Sequence, residues 1–145
     1  MGYTHTFNQT CSFTDEEWCK VMKFCKQVFK MRKGILGNGF GEVNSKPTVN
    51  GSNICFNGIG DDSHETFQIT KSRYEGYNFT KTARKPYDEV VVAILTYINF
   101  IAPHVLEISS DGSDEPNMFI DGTSLVHIIT KDLTIPWLFH HEAPL

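Results

Sequence analysis

Three cationic side chains, Lys81, Arg84 and Lys85, stand within five residues of sequence, directly before Pro86. Proline suits the first position of a helix, and the residues that follow are mostly apolar, so a helix is predicted to begin here. The first amides of a helix lack partners within it, and the helix dipole is positive at that end, so phosphates and carboxylates bind there. Residues 81–85, called the cationic turn below, therefore predict a site for an anion.

Two further side chains belong to this predicted site. Thr82 lies within the cationic turn and is counted among its ligand-binding residues. Asp88 falls in the first helical turn, where a carboxylate complements the helix dipole. The alternative interpretation is a solvated loop in which Arg84 pairs with Asp88 or Glu89.

Acidic residues in two turns form a second group of candidates. Asp61 and Asp62 lie in the glycine-rich segment NGIGDDSH at residues 57–64, where they could hold a divalent cation or orient a ribose. The spacing matches neither a Walker loop nor a dinucleotide-binding fingerprint, and a wide hairpin turn explains the segment equally well. Asp111 follows a predicted strand and is interpreted either as a catalytic residue or as a turn residue.

The histidines suggest acid–base chemistry. His64-Glu65-Thr66 is an HxT triplet, and two-histidine phosphodiesterases use two such triplets for acid–base catalysis and phosphate binding. The sequence holds no second triplet, so the motif is half complete. His5 and His64 are candidates for a catalytic pair, with the alternative that each is a core-edge histidine hydrogen-bonded to backbone.

The composition predicts one domain spanning residues 1–145, with enough chain to bury a core. A net charge of −4 argues against broad binding to nucleic acid. The four cysteines form no CxxC pair and the start of the chain is polar, which predicts free thiols, no structural metal and no cofactor. The apolar stretch 90–102 is too short to span a bilayer, so a cytoplasmic protein without a membrane partner is expected.

Hydrophobic periodicity predicts an α+β fold, with a small antiparallel sheet packed on two main helices at about 14–33 and 86–102. The first helix has a capping box at Thr14 and Glu17. Strands are predicted at residues 3–7, 54–56, 64–70, 77–79 and 105–109. Loops are predicted at 34–53 and 113–122, and residues 125–129 fit either a strand or a helix.

Several short motifs resemble a family of small proteins found in tailed bacteriophages, bacteria and large DNA viruses. The resemblance covers roughly residues 1–112 and rests on these segments: GYTH at 2–5, FTDEEW at 13–18, FNG at 56–58, DDSHETF at 61–67, KTARKPYD at 81–88 and SSDG at 109–112. It implies a viral or phage-type origin and no particular reaction. Relatives often carry Cys where this chain has Thr80, so the resemblance does not extend to a thiol site there.

These observations lead to three hypotheses of function. In the first, an accessory protein binds a phosphate-bearing small molecule such as a nucleotide, through the cationic turn, with His5 and His64 beneath it. In the second, a hydrolase or phosphodiesterase acts on the same ligand class, so the sequence leaves binder and enzyme open. In the third, the protein is structural or contacts a host protein; the sequence also allows a homo-oligomer. If the protein is viral, the expected compartment is the host cytoplasm.

Overall fold

The structure is a computed structural model that describes residues 3–112 and 119–138. Within these two ranges the chain forms an α+β fold of three helices and two small antiparallel sheets, which confirms the predicted fold class. The elements follow in this order: β1 (Thr4–Gln9), α1 (Asp15–Met31), β2 (Thr48–Val49), β3 (Asn53–Phe56), β4 (Phe67–Thr70), β5 (Phe79–Lys81), α2 (Asp88–Ile101), β6 (Leu106–Ser110) and α3 (Ile120–Thr130). Two short 3-10 turns lie at Lys33–Ile35 and Gly60–Asp62.

Helix α1 begins at the predicted capping box. The Thr14 hydroxyl accepts a hydrogen bond from the Glu17 amide at 3.1 Å, and the Glu17 carboxylate accepts one from the Thr14 amide at 2.9 Å. These two bonds satisfy amides that have no partner inside the helix. The apolar stripe of α1 is buried, as its spacing predicts, and includes Trp18, Val21 and Val28.

Thr14→Ala is expected to lower the free energy of unfolding by about 1 kcal/mol, because it removes the acceptor for the Glu17 amide. Urea denaturation measures this change. Ser124→Ala, at an exposed position within α3, is the control and should change stability by less than about 0.5 kcal/mol. Equal effects from the two substitutions would contradict the stabilising role of the cap.

The first sheet has the strand order β5–β1–β6, so β1 lies between two strands that come much later in the chain. Its side chains alternate as predicted: Tyr3, His5 and Phe7 are buried, whereas Thr4 and Thr6 are half-buried. On one side His5 pairs with Thr80, and on the other it pairs with Ser110. The sequence predicted which side chains of β1 are buried, but it did not predict which two strands pair with β1.

The second sheet has the order β2–β3–β4 and contains the predicted hairpin of β3 and β4. Its second strand begins at Phe67 rather than at His64. The Asn57 side chain accepts a hydrogen bond from the His64 amide at 3.0 Å and donates one to the His64 carbonyl at 3.1 Å. Because these bonds occupy the backbone of His64, this residue belongs to the turn and not to the strand.

Other boundaries also shift from the prediction. The loop expected at 34–53 contains β2, which pairs with β3. The strands expected at 77–79 and 105–109 are found at Phe79–Lys81 and Leu106–Ser110. Within the loop expected at 113–122, residues 113–118 lie outside the described residues, and the chain is helical from Ile120.

Helix α2 forms the centre of the molecule, in agreement with its nearly uniform apolar composition. Its residues from Val90 to Leu95 are all buried. It begins at Asp88, two residues after the predicted start, because Pro86 and Tyr87 form a turn before it. Phe7, Phe56 and Phe67 pack together beside it with ring centroids about 5 Å apart. Among the described helices, none has both the length and the apolar character needed to cross a membrane.

Candidate functional site

The imidazole of His5 lies at the centre of a buried chain of hydrogen bonds. Its side chain is fully buried, its Nε2 lies 2.6 Å from Asp88 Oδ1, and its Nδ1 lies 2.8 Å from Ser110 Oγ. Asp88 Oδ1 also accepts a hydrogen bond of 2.6 Å from the hydroxyl of Thr82, which is itself buried. These four residues, Ser110, His5, Asp88 and Thr82, are called the His5 chain below.

Three different parts of the fold build the His5 chain. The antiparallel register of β1 and β6 places Ser110 directly opposite His5, so their side chains share one face of the sheet. Asp88 is the first residue of α2, and Thr82 directly follows β5. Since these residues are separated by up to 105 positions in sequence, their meeting depends on the topology of the first sheet.

Hydrogen-bond chemistry assigns a direction to this chain. The Asp88 carboxylate only accepts, so Nε2 of His5 carries the hydrogen that faces it. In the neutral imidazole Nδ1 is then an acceptor, and the Ser110 hydroxyl donates to it. The amide of Gly112 donates to Ser110 Oγ at 3.1 Å, which agrees with this direction. The geometry thus supplies a serine hydroxyl bonded to a histidine that a carboxylate orients.

The cationic turn reverses sharply above the His5 chain instead of leading straight into a helix. The Lys85 amide donates to the Thr82 carbonyl at 3.0 Å, and the two central residues, Ala83 and Arg84, have φ of 52° and 58°. Positive φ at both central positions is the signature of a type I′ turn, which usually takes glycine or asparagine. Alanine and arginine are strained in this conformation, and such strain concentrates at functional sites.

The ring of Tyr3 contacts both Arg84 and the buried imidazole of His5. Its guanidinium carbon lies 4.6 Å from the centroid of the Tyr3 ring, a cation–π distance. The Tyr3 ring meets the imidazole of His5 edge-on, with centroids 5.1 Å apart. The Tyr3 carbonyl also accepts from the Thr82 amide at 3.0 Å, which fixes the base of the turn.

The first amides of α2 donate hydrogen bonds to backbone carbonyls just before the helix. The Asp88 amide donates to the Lys85 carbonyl at 2.9 Å, and those of Val90 and Val91 donate to the Tyr87 carbonyl. The sequence had predicted that open amides at this helix start would help to bind an anion. The structure instead commits these three amides to backbone carbonyls, so they are not open to an anion.

The acidic residues beside the cationic turn have partners of their own. Glu89 accepts a hydrogen bond of 2.9 Å from Arg32 Nε, while Asp88 belongs to the His5 chain. Asp111 is exposed, and its carboxylate accepts from the Thr4 amide at 3.0 Å, so it ties the end of β6 to β1 next to Ser110. Of the remaining cations, Lys81 is exposed and Lys85 is half-buried.

The other candidates lie outside the His5 chain. Asp61 and Asp62 are exposed in the 3-10 turn, and His64 is exposed in the segment that follows it. In residues 3–112 and 119–138, no hydrogen bond or ion pair joins these three side chains to His5 or Asp88. Over the same ranges, no cluster of three or more His, Cys, Asp or Glu side chains is suited to a metal ion.

Tyr87 connects the hairpin turn to the start of α2 and was not singled out from the sequence. Its ring is fully buried, and its hydroxyl donates to the Glu65 carbonyl at 2.6 Å. Burial, followed by the charges of Asp88 and Glu65, raises the pKa of Tyr87 above its usual range, so the phenol stays a hydrogen-bond donor. Ser110 and Tyr3 were also missed as site residues. Alternation along β1 is the one sequence signal that groups Tyr3 with His5.

Comparisons of this chain with protein-family models, with curated proteins and with solved structures found no match.

Proposed function

We propose that this protein binds a phosphate-bearing small molecule, of the nucleotide class, at the cationic turn. The observation that carries the proposal is the strained conformation of Ala83 and Arg84, both at positive φ, in a turn that presents three cations. A conformation that costs of order 1–3 kcal/mol per residue persists only where the surrounding structure enforces it. Here the enforcing contacts come from Thr82, whose amide and hydroxyl bond to Tyr3 and Asp88.

Among the described residues no carboxylate forms an ion pair with Lys81 or Lys85, and the Glu65 carboxylate accepts a hydrogen bond of 2.9 Å from the Lys81 amide. Asp88 is held in the His5 chain and Glu89 is paired with Arg32, so neither carboxylate is directed toward Lys81 or Lys85 by an ion pair. The Arg84 guanidinium carbon lies over the Tyr3 ring, and a guanidinium matches the oxygens of a phosphate. If the protein has the viral origin that its motifs imply, sequestering a nucleotide signal is a role consistent with this chemistry.

A thermal-shift screen against nucleotides tests the proposal. At a free concentration of 100 times Kd, a bound nucleotide adds about 2.7 kcal/mol to the stability of the wild-type protein. Arg84→Ala removes charge-assisted hydrogen bonds and should weaken binding by about ten- to a hundredfold. Arg73→Ala, at another exposed arginine, is the matched control and should bind like the wild type. A panel without a stabilising nucleotide, or equal shifts in the two variants, would contradict the proposal.

A second candidate, hydrolysis of the same ligand, is favoured by the distances in the His5 chain. In this reaction Ser110 Oγ forms a bond to phosphorus as the bond to the leaving oxygen breaks. His5 Nδ1 takes the hydroxyl proton and passes it to the leaving oxygen, while Asp88 stabilises the imidazolium. Water then releases the phosphoryl group from Ser110, and the cations of the turn stabilise the charge that develops on the phosphate.

Recovering the nucleotide after incubation separates the two candidates. An enzyme returns a shortened or dephosphorylated product, and Ser110→Ala stops that turnover while binding persists. A binder returns the ligand intact from the wild type and from Ser110→Ala. Intact ligand after long incubation would therefore exclude hydrolysis and leave the binding proposal standing.

A further inference from the structure

A second site candidate lies in a cleft at the C-terminal half of α1, and none of its lining residues belongs to the His5 chain or the cationic turn. The cleft has a volume of about 740 Å³, within the range of small-molecule sites in proteins. It opens between α1, the Lys33–Ile35 turn and residues 43–49. Its apolar lining is formed by Phe29, Leu36, Val43, Pro47, Val49 and Ile59.

Four lysines surround this apolar lining. Lys26, Lys30 and Lys33 follow one another at spacings of four and three residues from α1 into the turn after it, and Lys46 approaches from the opposite wall. The lining includes no Asp or Glu. In the described part of the chain, none of the four ammonium groups forms an ion pair with a carboxylate. A protein with a net charge of −4 thus places four uncompensated positive charges around one apolar hollow.

We propose that this cleft, the lysine cleft, binds an organic anion with an apolar body, of the fatty-carboxylate class. The apolar lining favours a hydrocarbon body, since burying apolar surface drives such binding. The lysines favour a negatively charged head, and a bound anion relieves the mutual repulsion of the four ammonium groups. Phosphate alone would leave the apolar wall wet, and an uncharged chain would leave the lysines uncompensated, so both parts of the ligand are needed.

Dodecanoate, titrated below its micellar concentration and followed by isothermal titration calorimetry, is the direct probe. Two comparison ligands separate the two requirements: dodecyl maltoside has the same tail with a neutral head, and inorganic phosphate has charge without a tail. We expect 1:1 binding of dodecanoate and binding at least about tenfold weaker for each comparison ligand. Equal affinity for dodecyl maltoside or for phosphate would overturn the proposal.

Two substitutions on α1 locate the binding event. Lys30→Glu places a negative charge on the lysine cleft and should weaken dodecanoate binding about tenfold or more. Lys23→Glu makes the same change on the same helix at an exposed position that does not line the cleft, so its affinity should stay within about twofold of the wild type. Equal weakening by both would show only a general effect of charge and would overturn the proposal.

A third substitution tests the volume of the cleft rather than its charge. Gly34 lines the cleft, and a Cβ added there would meet no atom within 4 Å. Gly34→Leu is therefore expected to fold with an unchanged circular dichroism spectrum and to weaken dodecanoate binding by filling part of the space. Full dodecanoate affinity in Gly34→Leu would contradict the assignment.

Binding to anionic phospholipid vesicles without binding of monomeric dodecanoate would assign this face to a membrane surface and overturn the proposal.

Discussion

Replacing Asp88 with alanine should lower the free energy of unfolding by about 3–5 kcal/mol, among the largest effects of any single substitution at the candidate site. One oxygen, Asp88 Oδ1, accepts hydrogen bonds from both His5 Nε2 and the Thr82 hydroxyl. Both donors belong to fully buried residues, and neither has another acceptor among the described residues. Each buried donor left without a partner costs about 1–3 kcal/mol, so the two together cost about 2–6 kcal/mol, and the expected effect lies in the middle of that range.

Two further variants make this result specific to Asp88. Asp88→Asn keeps an oxygen acceptor and removes the charge, so it should destabilise the protein less than Asp88→Ala. Asp61→Ala removes an exposed carboxylate and should change stability by less than about 0.5 kcal/mol. Urea denaturation with an unchanged m-value measures all three. Asp88→Ala as mild as Asp61→Ala would mean that the His5 chain does not hold the site together.

The second large effect is expected at Gly58, beside the buried ring of Tyr87. A Cβ added to Gly58 would lie 2.2 Å from the backbone oxygen of Asp62 and 3.0 Å from Cδ1 of Tyr87. The nearest atom belongs to the backbone, so a rotamer change cannot relieve the clash. Gly58→Ala should therefore destabilise the protein by about 1–3 kcal/mol, as overpacked substitutions do.

Gly51→Ala is the matched control for this prediction. A Cβ at Gly51 meets no atom within 4 Å, so its effect on stability should lie within about 1 kcal/mol of zero. Both variants can be compared in one series of urea denaturations. Similar stabilities for the two would contradict the close contact between Gly58 and Asp62. Because Tyr87 directly precedes Asp88, Gly58→Ala should also weaken nucleotide binding if the proposed function is correct.

Local signals in the sequence were sufficient for the elements whose causes are local. The capping box of α1 and its apolar stripe involve residues three or four positions apart, and both are confirmed. The same holds for the buried face of β1, since alternation alone decides which side chains share a face. Helix α2 was recognised because nearly every residue from 90 to 98 is apolar.

The candidate site depends on contacts that no local pattern encodes. The sequence placed His5, Thr82 and Asp88 in one hypothetical site, yet it could not predict the hydrogen bonds among them, because β5 and β6 pair with β1 only in the folded sheet. Ser110 was not singled out from the sequence, and its position opposite His5 follows from the register of β1 and β6. The lysine cleft was not predicted, because its second wall comes from residues 43–49, within a segment predicted to be a loop.

The position of β1 in its sheet also constrains the order of events during synthesis. This strand is translated before both of its neighbours, residues 79–81 and 106–110, so its first sheet partner is complete only about 70 residues later and its second about 100 residues later. Contacts so distant along the chain predict slow folding relative to helical proteins of this size. Helix α1 can form before β1 is paired, because its cap and its apolar stripe involve only residues three or four positions apart. A nascent chain stalled before Leu106 would expose one whole edge of β1, together with the buried face that carries His5, to other unfolded proteins.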